Sequence, residues 1–232
     1  MIPLKDDNET QNKCYARLVI LIVCTLIFFS QILSTNNNYW IYYFGFKPLS
    51  LYQNVTYPSF PGYLTLITSL FLHGGWMHFL GNMLYLWIFA DNVEDKLGIR
   101  KFVVFYLISG IFASLTQAFF NINSEVPMIG ASGSIAGVLG AYLYYFPKAK
   151  VLVLIPFFII FTIKVQAYVL LIFWFLYQFL NLSNVDSSVA WLAHIGGFIF
   201  GYFFAVVSKS KSSVKKKGKT VFLNKDKKGP WD

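Results

Sequence analysis

Gly130-Ala131-Ser132-Gly133-Ser134-Ile135-Ala136-Gly137 lies near the middle of the chain and opens an uncharged apolar run, Ser132 to Phe146, that Pro147 stops. Gly133, Gly137 and Gly140 fall on one face of the helix this run predicts, and small residues on one face let a second membrane helix come close. Ser132 then stands as a hydroxyl at the head of an apolar helix. Working outward, the chain repeats such runs, and apolar stretches of roughly 18 residues read as membrane spans. Six are predicted, at about Ala16–Leu33, Trp76–Ala90, Lys101–Phe120, Ser132–Phe146, Val165–Leu182 and Val189–Val207.

Composition agrees. Of 232 residues, 56% are hydrophobic and 12% charged, about half the charged share of a soluble domain. Backbone polar groups in lipid are satisfied within helices or closed barrels, and the alternating ten-residue segments of a barrel are missing. The reading is an all-α polytopic membrane protein with three parts: an inside segment 1–15, a six-helix membrane domain 16–208 and a basic tail 209–232. Residues 1–15 are polar and expected to be poorly ordered. The connection 34–62 is rich in Asn, Tyr and Pro, and its aromatics suit a membrane interface. Val151 to Ile163 contains Pro156 and is bracketed by Lys148, Lys150 and Lys164. It is expected to be an interfacial or re-entrant connection, not a seventh span.

The net charge of +9 raises the question of nucleic acid, and its distribution argues against it: nine of the nineteen basic residues lie between Lys209 and Lys228. A basic tail beside a span fits retention in the cytoplasm and contact with anionic lipid. With six spans and both termini cytoplasmic, eighteen of nineteen basic residues fall inside and only Lys47 outside, as the positive-inside rule expects. Cys14 and Cys24 have neither metal nor redox spacing, and no disulfide between them is expected. The first span reads as a retained helix, not a signal peptide.

This topology has a chemical consequence. Spans two, four and six all run inward from the outer face. His78 and Asn82 lie in the first two turns of span two, Ser132 opens span four and His194 begins span six. At 1.5 Å per residue all four lie within roughly 10 Å of the outer helix ends. Polar residues in a bilayer are rare and tend to mark function. His194, Gly197 and Gly201 share a stripe that can face the glycine stripe of span four, which would bring the Ser132 hydroxyl within reach of an imidazole base. Taken singly, each residue has a plainer explanation. Gly-x-Ser-Gly is a common packing motif, Asn82 alone suits a helix–helix hydrogen bond, and His194 alone suits packing or a proton relay. Ser134 points about 160° away from Ser132 and reads as structural. Asp186 lies in a loop eight residues before His194 and reads as solvated, so a Ser-His dyad without a third carboxylate is expected. His73 is equally an interfacial histidine or a residue that shapes the site. The spacing of His73 and His78 is not that of a zinc protease, and no metal is implied.

Together, His73-Gly74-Gly75-Trp76-Met77-His78 with Asn82, then Gly130-Ala131-Ser132-Gly133, then Ala193-His194-Ile195-Gly196-Gly197 with Gly201, resemble the rhomboid family of intramembrane serine proteases. The similarity runs from about Phe44 to Ala205, and the motifs occur in family order on spans two, four and six. The resemblance implies Ser132 as nucleophile and His194 as base. It implies His78 and Asn82, with the Ser132 backbone N–H, as the oxyanion hole, and Gly130, Gly133, Gly197 and His73 as shaping the site. It also implies transmembrane protein substrates reaching the site between spans two and five, with no cofactor; an inside N-terminus and a lysine-rich tail suit a bacterial inner membrane. Oligomeric state has no signature here. Two departures stand out: the first loop lacks the Trp-Arg pair of some bacterial members, and position 136 is Ala where some carry an aromatic packed on the catalytic histidine. An inactive, client-binding relative and a small-solute transporter are the alternatives. The first typically lacks the serine or the histidine, and the second would show repeats or charges within its spans.

Overall fold

The computed structural model describes residues 1–34, 36–51, 61–156, 160–184 and 189–210. The apolar runs form helices: α1 (Tyr15–Leu33), α2 (Asn37–Phe44), α3 (Thr65–Thr68), α4 (Trp76–Leu97), α5 (Ile99–Phe120), α6 (Ser132–Tyr145), α7 (Ala167–Leu180) and α8 (Trp191–Ser210). Tyr15–Leu33, Ile99–Phe120 and Trp191–Ser208 are each long and apolar enough to cross a membrane. Exposed apolar side chains on α1 (Val19, Ile22, Leu26), α7 (Phe173, Leu176) and α8 (Phe203, Val207) give these helices an outer surface suited to hydrocarbon. The protein is a mostly helical integral membrane protein.

α6 is the centre. Its 14 residues span only about 21 Å at 1.5 Å per residue, and every residue from Gly133 to Tyr142 is buried. Its closest partner is α8, with α5 and α4 on its other sides. The glycine stripes predicted on these two helices meet. A Cβ at Gly197 would overlap the Gly133 carbonyl oxygen, one at Gly201 the Gly137 carbonyl oxygen, and one at Gly140 the Phe198 carbonyl oxygen. The two backbones touch, so the first turns of α6 and α8 are held at a fixed separation. α1 packs on the start of α4, where Phe28 stacks on Phe79 with centroids 4.4 Å apart.

The chain is not all-α. β1 (Ile2–Asp6), β2 (Lys150–Pro156) and β3 (Ile160–Gln166) form an antiparallel sheet in that order. The expected interfacial connection is therefore a hairpin, in which Val153 pairs with Ile163 and Lys150 with Gln166. Val151 and Val153 are fully buried while Leu152 and Leu154 are only partly so. That is a strand's two-residue period, and β-branched residues favour it. The N-terminal segment is also ordered, against expectation: Ile2 pairs with Leu154 and Asp6 with Val151.

The polar end of α4 explains that order. Glu94 accepts from Ala16 N and Arg17 N at 2.8 and 2.7 Å, satisfying two of the free N–H groups that open α1. Asp95 accepts from Gln11 N and Asn12 N at 2.9 and 3.0 Å. Arg17 pairs with Asp91 at 3.1 Å and donates to the Trp87 carbonyl at 2.6 Å. Tyr142 OH donates to Asp6 at 2.5 Å and Asn92 Nδ2 at 3.2 Å. Burial pushes the Asp6 carboxyl up to about 6, with the Tyr142 hydrogen bond acting against the rise and the Asp91 charge adding to it. Cys14 and Cys24 are both free thiols.

Candidate active site

A cavity of about 980 Å³ opens where α4, α6 and α8 begin and α5 ends. Its lining includes His78, Asn82, Ser132 and His194. The shared direction of three helices is what brings together residues that lie up to 116 positions apart in sequence, from His78 to His194.

Ser132 is the first residue of α6, where backbone N–H groups have no helical partner. Gly130, two residues earlier, has φ +120°, a conformation that side chains strain. A Cβ there would also lie 2.6 Å from His78 Nε2 and 3.6 Å from Ser132 Oγ. Gly130 thus leaves the space between the imidazole and the hydroxyl open. Gly74 N donates to His78 Nδ1 at 3.4 Å. The ring proton then sits on Nε2, the nitrogen that faces Gly130. One turn further on, Asn82 is buried and its Nδ2 has no partner among the described residues. Two N–H donors with no partner among the described residues therefore line the same cavity as Ser132.

His194 is held from α7 and from its own helix. Its Nδ1 lies 2.9 Å from Gln178 Oε1. Its ring packs against Trp174, with centroids 5.8 Å apart, and against Trp191 at 6.0 Å and 89°. Ala136 is fully buried and meets the place of a Cβ on Gly197 at 3.3 Å. Position 136 therefore belongs to the α6–α8 contact, and two tryptophans carry the imidazole. Sequence reasoning passed over Gln178. Its signal was present: it is the one amide in the apolar and aromatic helix Ala167–Leu180.

The other expected residues fall outside the cavity lining. Gly133 and Gly197 lie in the α6–α8 contact. His73 is fully buried behind His78, ring centroids 5.3 Å apart. Its backbone is clamped by Gln31 of α1, through His73 N to Oε1 at 3.0 Å and Nε2 to His73 O at 3.1 Å. Ser134 is fully buried and faces Gly110 of α5, in agreement with its predicted direction away from Ser132. Asp186 and the tail from Lys211 onward lie outside the described residues.

Apolar helices enclosing a cavity with a few polar side chains at one end define an integral membrane protein. The Rhomboid domain family model matches residues 61–211, more than half of the chain, and the chain belongs to the rhomboid family. It is 35% identical over 147 residues to RHOMBOID-like protein 5 of Arabidopsis thaliana, covering 61% of this chain and 43% of that protein. It is 36% identical over 140 residues to Rhomboid protease GluP of Bacillus subtilis (strain 168), covering 60% and 25%. It is 30% identical over 145 residues to Rhomboid protein 1, mitochondrial, of Saccharomyces cerevisiae (strain ATCC 204508 / S288c), covering 61% and 40%. The matches span less than half the length of each of these relatives. The family includes serine intramembrane proteases as well as inactive members.

Proposed function

We propose that this chain is a serine endopeptidase that hydrolyses peptide bonds of transmembrane proteins with a Ser132–His194 dyad. The observation that supports it best is the shared cavity: a hydroxyl, an imidazole and two N–H donors without partners among the described residues line one space. Ser132 Oγ attacks the scissile carbonyl carbon and its proton passes to His194 Nε2. The carbonyl oxygen becomes an oxyanion that accepts from His78 Nε2, Asn82 Nδ2 and the Ser132 backbone N–H. Fixed donors are worth most in such a low-dielectric site. The C–N bond breaks as His194 returns the proton to the leaving amine. Water then attacks the acyl-enzyme, gives its proton to His194, and the ester bond breaks to restore Ser132. No cofactor takes part.

The finer topology follows the same reading. The six spans are α1, α4, α5, α6, α7 and α8, and both termini are cytoplasmic. The cavity opens to the outer face, where water is available. Gly130 gives His78 its approach, Gly133 and Gly197 set the distance between nucleophile and base helices, and His73 backs His78. Substrate helices reach the cavity between α4 and α7. The location is a bacterial inner membrane, with the lysine-rich tail against anionic lipid.

The test is labelling of the detergent-purified protein with a fluorophosphonate. Wild type and Ser134→Ala are expected to label, and Ser132→Ala and His194→Ala to fall to background. A folded sample in which no variant labels or cuts a generic transmembrane substrate would overturn the reading in favour of a client-binding relative.

A further inference from the structure

We infer that Gln178 is a positioning residue for His194, fixing which nitrogen of the imidazole carries the proton. This rests on the reading of Ser132 and His194 as nucleophile and base. Two hydrogen bonds carry it. Gln178 Nε2 donates to the Trp174 carbonyl at 2.7 Å, and Gln178 Oε1 lies 2.9 Å from His194 Nδ1. A carbonyl oxygen only accepts, so the amide NH₂ has to face Trp174. The amide oxygen then faces the imidazole, and because it too only accepts, Nδ1 carries the proton. Nε2 is left with its lone pair, the form a general base needs toward a serine hydroxyl. The orientation of the amide is thus decided by a backbone group, independently of the histidine.

Burial and chemistry support the assignment. Gln178 is 2% exposed, and polar side chains are costly in an apolar helix unless both ends find partners. Here both do. Trp174, whose carbonyl anchors the amide, also packs its ring on His194, so one turn of α7 grips the imidazole by its face and by Nδ1. A carboxylate at this position would accept the same proton but would bring a full charge out of water. An amide sets the tautomer without that cost, and it still accepts from Nδ1 when Nε2 becomes protonated during the reaction. The triad logic is kept with a neutral third member supplied by a different helix from the nucleophile.

The experiment uses the full chain with Gln178→Met, which keeps length but loses the acceptor, and Gln178→Glu, which keeps an acceptor. Two readouts are taken: kcat and KM on a transmembrane substrate, and the ¹⁵N resonances of the His194 ring in a Ser132→Ala background. For Gln178→Met, kcat is expected to fall roughly 100-fold with KM changed by less than about twofold, as expected when ground-state binding is untouched. The single Nδ1–H signature should give way to a tautomer mixture. Gln178→Glu should recover most of kcat and retain the Nδ1–H signature. Wild-type kcat in Gln178→Met, an unchanged ring signature, or equal damage from Met and Glu would each overturn the inference. The ring signature needs no turnover. A protein that cuts nothing would sink the protease reading, while the Gln178–His194 bond would still be decided on its own.

Discussion

The two ends of α4 handle polar groups in opposite ways. At its C-terminal end, Asp91 and Glu94 have partners in the first turn of α1 and Asp95 in the segment before it, and Glu94 is buried with both carboxylate oxygens engaged. At its N-terminal end, His78 Nε2 faces open cavity and Asn82 Nδ2 is buried without a partner among the described residues. A buried donor left unpaired costs on the order of 1–3 kcal/mol, a cost that the Asn82 amide carries and the three carboxylates at the other end do not. Paired groups anchor the helix. Under the proposed function, the two open donors at the cavity are the arrangement a developing oxyanion requires.

Variants at the two ends should therefore separate chemistry from stability. The largest expected effect is Asn82→Ala, which should lower kcat by roughly 10²–10³-fold with no loss of thermal stability, since the amide nitrogen has no partner among the described residues. Steady-state kinetics beside a thermal melt in detergent would check both halves; a large drop in melting temperature would mean that Asn82 is an anchor after all. Glu94→Ala comes next. Losing two charge-assisted bonds at the start of α1 should cost about 2 kcal/mol of stability, and activity per folded molecule should be unchanged. The contrast breaks if Glu94→Ala is stable but catalytically dead.

The smallest effect concerns pH. The Asp6 carboxyl sits at about 6, above its ordinary 3.8, so the folded clasp binds that proton more tightly than the released strand does. Its stabilising contribution is complete below about pH 4 and is lost as pH rises through 6. Amide exchange in β1, corrected for intrinsic rates, should show weaker protection at pH 7.5 than at pH 4.5. Asp6→Asn should flatten this dependence, and a variant that keeps the full dependence would rule Asp6 out as its source.

Much of this was legible in the chain. The span directions put His78, Asn82, Ser132 and His194 at one depth, and all four line one cavity. The glycine stripes of Gly133–Gly140 and Gly197–Gly201 predicted a backbone contact that is there. What failed was long-range pairing. Ile2-Pro3-Leu4-Lys5-Asp6 is too short and too polar to announce a strand, because its partner is some 150 residues away. The hairpin was expected only as an interfacial or re-entrant connection, because Val151–Ile155 is continuously apolar and its two-residue period appears in burial and not in the sequence. Gln178 was hidden for a related reason: it is uncharged and lies on a different helix from His194, so no spacing in the chain links the two.

The pairing of Ile2 with Leu154 also says something about how the protein is made. Ile2–Asp6 cannot find their strand partner until roughly 150 more residues have followed, a wait of about 8–30 s at 5–20 residues per second. During that time α1 through α6 are synthesised while the amino end stays open, and closing so long a loop is among the slowest contacts the chain forms. The strand Ile2–Asp6 is thus a late latch, closing only after α6 has been made.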